Sequence, residues 1–206
     1  MTPERIKLFE RFGLLFLALS VVYVVLFIMP GVTDLLLLDP DLFLSGEFWR
    51  IFTYPLVHQN LAHLSENIIA LFLSILLAIE LKSSLAVYSS TYVAAGIFAI
   101  LPLWILSPFL ALGASAAIYG SFGFLSRSAS RFDIKPYALL SGIAGFTVVS
   151  AVYSHYSGGS IALLSIVQQL MAHLAGLMFG YYFCILATRA VDKYFARRIT
   201  CLRSMN

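Results

Sequence analysis

Hydrophobic positions in this chain run in long blocks with almost no charge between them, rather than in the one-sided stripes of a water-soluble helix. No Asp, Glu, Lys or Arg interrupts Ser83 to Ser126, and none interrupts Pro136 to Thr188. A membrane-crossing helix needs roughly 20 mainly apolar residues, so each block is long enough for two crossings. Gly, Pro and Ser clusters punctuate the runs, at Pro30 with Gly31, Ser83 with Ser84, Ser107 with Pro108, Asp133 to Pro136, and Ser157 to Ser160. Between these breaks the pattern predicts six spans, at about Gly13–Met29, Leu61–Ala78, Leu85–Leu106, Leu112–Leu125, Tyr137–Val152 and Ile161–Ala187. The fourth and fifth are short and depend on neighbouring helices. The chain is therefore expected to be an all-α, polytopic membrane protein, one domain over residues 1–206 with no soluble module and no internal repeat.

Composition agrees: 61% of residues are hydrophobic and 11% charged, against about 25% charged in a soluble domain. The distribution of charge says more than its total. Lys and Arg favour the cytoplasmic side. Six spans put twelve of the thirteen basic residues on one side, leaving only Arg50 opposite. A short amino terminus, 1–12, and a carboxyl tail, 189–206, are thus expected in the cytoplasm, and the plasma membrane is the expected location. The net charge of +3 is a topology signal and implies no nucleic-acid partner; the lipid bilayer is the surrounding medium. The basic flank and first apolar run lack a clear small-residue cleavage site and are read as an uncleaved helix. Cys184 in the sixth span and Cys201 in the tail suggest no disulfide. The longest outer segment, Gly31 to about Asn60, carries Asp34, Asp39, Asp41 and Glu47 among leucines and aromatic residues, and is expected to lie partly in the outer leaflet.

Polar groups inside spans are costly and usually face the bundle interior or a wet cavity. Here they concentrate on three spans: His63, Glu66 and Asn67, preceded by His58, on the second; Ser115 and Tyr119 on the fourth; Gln168, Gln169 and His173 on the sixth. His155 falls outside this set, in an expected outer loop. Counting back from the cytoplasmic charges at 1.5 Å per residue places Ser115 about 18 Å, Asn67 about 22 Å and His173 about 24 Å from that side. His63 lies one turn above Asn67. All four fall in the outer half of a hydrocarbon core roughly 30 Å thick.

Small residues let helices approach closely in a membrane, and they surround Ser115 (Gly113, Ala114, Ala116, Ala117, Gly120, Gly123) and follow His173 (Ala175, Gly176, Gly180). Packing those faces would bring Ser115 to His173. A serine hydroxyl becomes a competent nucleophile when a base takes its proton, and histidine has a suitable pKa. His63 and Asn67, at i and i+4, share a helix face and can both donate hydrogen bonds to a developing oxyanion, together with the Ser115 backbone N–H. Glu66 points about 60° from His63 and 100° from Asn67 around the helix. It is expected as a protonated, buried hydrogen-bonding group.

At this point the residues resemble the rhomboid family of intramembrane serine proteases. Trp49, Arg50, Thr53, His58, His63 and Asn67 are similar to its W-R-x-x-T-x-x-x-x-H-x-x-x-x-H-x-x-x-N pattern; Gly113 to Gly120 resembles G-x-S-G-A-x-Y-G; His173 to Gly180 resembles H-x-x-G-x-x-x-G. The resemblance implies a six-helix rhomboid-like bundle that cleaves transmembrane segments of other proteins near their outer ends, with no metal or organic cofactor. It implies Ser115 as nucleophile, His173 as general base and His63 with Asn67 as oxyanion donors. It further implies that Tyr119 packs against the base and that His58 supports the site. Gly113 belongs to the serine motif, and Gly176 and Gly180 are helix-packing positions. Trp49 and Arg50 resemble the family's structural signature of the long first outer loop. Ala116 departs from the family by standing where a glycine usually follows the nucleophile. The alternative from a different class is a catalytically impaired relative that binds or routes membrane clients. A metal site on His63, Glu66, His58 and His173 is weaker, because no H-E-x-x-H is present. A transport site would call for a repeat that is not visible.

Overall fold

In the computed structural model, which describes residues 2–157 and 163–203, helices account for nearly all regular structure. They are α1 (Pro3–Ile28), α2 (Val32–Leu36), α3 (Pro40–Leu44), α4 (Arg50–Thr53), α5 (Leu61–Glu80), α6 (Leu85–Phe98), α7 (Leu101–Leu106), α8 (Ser115–Ser128), α9 (Pro136–Ser157) and α10 (Leu163–Arg203). Short 3-10 turns follow α4 at Tyr54–Leu56 and α8 at Ala129–Phe132. Among the described residues, the helices over Pro3–Ile28, Leu61–Glu80 and Leu85–Leu106 are long and apolar enough to cross a membrane, with mean hydropathy 2.4, 1.9 and 1.7.

Helix ends depart from the sequence expectation for identifiable reasons. The first helix begins at Pro3 rather than Gly13, since Pro suits a first helical turn, and its amino-terminal turns are tied to α5 by an Arg5–Glu80 ion pair of 2.5 Å. The third span is interrupted between Phe98 and Leu101, next to Pro102 at the start of α7. The ninth helix continues to Ser157, so His155 lies on its last turns and not in a loop. The tenth is helical through Arg203, far beyond Ala187. The break at Gly158 to Ser160 and the span start at Ile161 lie outside the described residues.

The fourth span differs most. It starts at Ser115, three residues later than expected, because Gly113 adopts φ +102°, a left-handed conformation that ends any helical path through it. Fourteen residues rise only about 21 Å, so α8 is shorter than the hydrocarbon core and a non-helical segment precedes it inside the protein. Irregular backbone at such depth is tolerated where the protein itself satisfies its polar groups. Here Ala111 exchanges both backbone hydrogen bonds with Leu38, at 2.9 and 3.0 Å, and the Gly113 N–H donates to the Tyr54 carbonyl at 3.0 Å.

The outer segment between α1 and α5 supplies those partners. Arg50, 3% exposed, donates from Nη1 to the carbonyls of Asp34 (2.9 Å) and Leu37 (2.7 Å) and pairs with Glu47 at 2.6 Å. The Thr53 hydroxyl donates to the Leu36 carbonyl at 2.9 Å. The loop is thereby a built platform. Its aromatic residues Phe48 and Trp49 are exposed, as suits a membrane interface.

α8 packs against α10, α6, α5 and α9 and is the axis of the bundle. Its contact with α10 uses missing side chains. A Cβ at Gly176 would lie 2.5 Å from the Ala116 carbonyl oxygen, one at Gly180 would overlap the Gly120 carbonyl, and one at Gly123 would overlap the Leu177 carbonyl. On the other side a buried polar cluster joins three helices, with Tyr23 of α1 bonded to Tyr92 of α6, and Tyr88 of α6 bonded to Ser74 of α5 at 2.6 Å.

Candidate active site

Asn60 fixes the start of α5: its side chain accepts the His63 N–H at 2.9 Å, an N-cap that closes the first turn. His63 and Asn67 then sit one turn apart near the amino-terminal end of the helix. Behind His63 the backbone of Gly113 comes so close that a Cβ there would lie 2.6 Å from the imidazole Cε1 and 2.7 Å from Nε2. Gly113 is therefore required twice, for its φ and for the space the His63 ring occupies.

A cavity of about 400 Å³ opens in front of these groups. Its polar lining is His63, Glu66 and Asn67 from α5, Ser115 and Tyr119 from α8, Thr147 from α9, and Gln169 and His173 from α10. Apolar walls come from α5 (Ile69, Leu73), α9 (Phe146) and α10 (Ile166, Leu170). The Tyr119 and His173 rings are stacked, centroids 4.4 Å apart and nearly parallel at 6°. The Tyr119 hydroxyl accepts from Thr147 Oγ1 at 3.1 Å. The imidazole of His173 is thus held in a defined plane by a ring that is itself anchored to the neighbouring helix.

Four residues that the sequence placed on three helices, Ser115, His173, His63 and Asn67, line this one cavity. Ser115 is the first residue of α8, so its N–H is among the donors that have no partner within a helix. No hydrogen bond joins Ser115 to His173 among the described residues; hydrogen bonds between such groups are often long before a ligand binds. Asn67, 4% exposed, spends one amide hydrogen on the His63 carbonyl at 2.8 Å, which leaves a second Nδ2 hydrogen available. Its Oδ1 has no protein partner among the described residues.

His58 does not reach the cavity. It is 1% exposed, with its ring between those of Tyr23 (5.1 Å) and His63 (5.3 Å). Burial, helped by the nearby His63, pushes its pKa down to about 4, so it supports His63 as a neutral ring. Gly176 and Gly180 lie in the α8–α10 contact and not in the lining. Ala116 is helical, 3% exposed and free of positive φ. The helix start at Ser115 therefore needs no glycine after it. Glu66 overturns its expectation: the side chain is exposed toward the cavity rather than buried, with no hydrogen bond or ion pair among the described residues. Gln169 lines the cavity and Gln168 does not. The role of Thr147 was not legible, because a threonine in an apolar run has no distinguishing signal. No group of three or more His, Cys, Asp or Glu suited to a metal gathers among the described residues.

Fold and cavity together define a polytopic helical membrane protein whose interior holds a cavity lined by serine and histidine. A family model of the rhomboid domain matches residues 45–190, and the chain belongs to the rhomboid family. It is similar to a protein named rhomboid protease GluP from Bacillus subtilis, strain 168, at 36% identity over 87 residues. That match covers 42% of this chain and 17% of the relative's length.

Proposed function

We propose that this protein is an intramembrane serine endopeptidase that cleaves transmembrane segments of other membrane proteins. The observation that carries the proposal is the common cavity onto which Ser115, His173, His63 and Asn67 open. In the proposed reaction the His173 imidazole takes the hydroxyl proton as Ser115 Oγ attacks the scissile carbonyl carbon. The resulting oxyanion receives hydrogen bonds from the Ser115 N–H, His63 and the free Nδ2 hydrogen of Asn67. Collapse breaks the C–N bond, and the proton on His173 goes to the departing amine. Water, deprotonated by the same imidazole, then hydrolyses the acyl ester and restores both groups. No cofactor enters these steps.

The test is covalent labelling in membranes with a serine-directed fluorophosphonate, alongside turnover of a transmembrane substrate. Wild type should label and cleave, while Ser115→Ala and His173→Ala, each still folded, should lose cleavage by at least about 10³-fold. Retained turnover in either variant refutes the dyad. Labelling and cleavage absent from wild type favour the client-binding alternative.

We infer a plasma-membrane protein with both termini in the cytoplasm, an orientation that the basic-residue distribution supports. Single cysteines at Ser45 and Ser130, both exposed, should then react with an impermeant thiol reagent from opposite sides. Reaction of both from one side overturns that orientation.

A further inference from the structure

Among the described residues, Glu66 is the only Asp, Glu, Lys or Arg that lines the cavity. The dyad mechanism gives it no task, and a carboxyl beside an oxyanion site opposes the charge that forms there. Among the described residues the ion pairs are Arg5 with Glu80 and Arg50 with Glu47, and Glu66 has neither a cation nor a hydrogen-bond partner. It stands five residues below the start of α5 at Leu61, about 8 Å along the axis. At that depth a Lys or Arg near the end of a transmembrane segment can reach, since such side chains extend toward the interface.

The surroundings reinforce its sign. The outer segment packed beside the Ser115 end of α8 carries four acidic residues, Asp34, Asp39, Asp41 and Glu47, against the single Arg50. Arg50 is buried and committed to Glu47 and backbone carbonyls, whereas Asp34 and Asp41 are exposed. The end of the molecule that holds the cavity is therefore acidic, and fields of one sign raise the local concentration of oppositely charged segments.

We propose that Glu66 determines specificity, making the cavity favour a polypeptide with Lys or Arg within side-chain reach of the scissile bond and disfavour one with Asp or Glu there. This rests on the protease assignment for its chemistry, but the recognition itself is a binding preference and can be measured without turnover. The experiment scans Lys, Ala and Asp through the five positions on each side of the cleavage site of one transmembrane substrate. Cleavage is measured by wild type, Glu66→Gln and Glu66→Lys, and cross-linking of the same peptides is measured in the Ser115→Ala background. At one position or two adjacent positions, wild type should prefer Lys over Asp by about fivefold. Glu66→Gln should reduce that ratio to near one, and Glu66→Lys should invert it. Salt near 1 M should also shrink the wild-type ratio, because the pair is screened. A residue that merely supported folding would not invert a charge preference. Identical Lys-to-Asp ratios in wild type and Glu66→Lys, in cleavage or in cross-linking, overturn the proposal. Absent cleavage with a charge-dependent cross-link that follows Glu66 would overturn the protease assignment and leave the recognition site standing.

Discussion

α8 and α9 are neighbours in sequence and in space, yet they occupy opposite environments. In α8 nearly every residue from Ala116 to Ser128 is buried, including Gly120, Ser121, Gly123, Ser126 and Ser128. In α9 the large apolar residues Tyr137, Phe146, Val148, Val149 and Val152 are 42 to 71% exposed, and among its described residues Thr147 is the buried one. By hydropathy alone α9 is the better candidate for the centre. The opposite outcome follows from the solvent. Lipid is as apolar as a valine side chain, so apolar residues gain little by leaving it, and close backbone approach at small residues decides which helix is central. The consequence for function is a division of labour within the cavity: α8 with α10 holds Ser115, Tyr119 and His173 in a tightly interlocked pair, whereas α9 contributes a wall and one hydrogen bond to Tyr119.

The largest effect that sharpens this contrast concerns the α5 wall. If His63 and Asn67 donate to the oxyanion, His63→Ala and Asn67→Ala should each lower kcat by about 10²–10³-fold in folded protein. Steady-state cleavage in detergent measures this, and wild-type rates in both variants would remove α5 from the catalytic assignment. Next come the glycines. Gly123→Ala and Gly180→Ala put a Cβ onto the carbonyls of Leu177 and Gly120, whereas Gly142 and Gly145 of α9 have nothing within 4 Å of an added Cβ. The first two should destabilise by about 1–3 kcal/mol or more, and Gly142→Ala and Gly145→Ala should be neutral or slightly stabilising through helix propensity. Thermal unfolding in one detergent compares all four, and equal losses for the two pairs would mean that the α8–α10 contact is no tighter than the surroundings of α9. The smallest expected effect is at Ala116. Because this residue is helical with negative φ, Ala116→Gly should cost up to about 1 kcal/mol of stability and leave kcat/KM within roughly twofold. A large gain in rate would show that the alanine distorts the site after all.

Much of the architecture was written in the chain. The uncharged blocks and the breakers between them pointed to an all-helical, polytopic bundle, because a bilayer admits few alternatives for an apolar run. The polar residues inside those runs named Ser115, His173, His63 and Asn67 before any contact was known, since each is expensive in lipid without a purpose. Gly113, Gly176 and Gly180 were visible as small residues, but their reasons were not. It takes the neighbouring His63 ring, the Ala116 carbonyl and the Gly120 carbonyl to show what a side chain would strike. The shortness of α8, the burial of Arg50 in the outer loop and the Thr147 anchor for Tyr119 depend on partners distant in sequence. So does the exposure of Glu66, which helical geometry placed beside His63 and Asn67 but could not assign to cavity or core. Local periodicity reports which residues share a face of one helix; which faces meet is set by backbone approach between helices, and that property belongs to the assembled bundle.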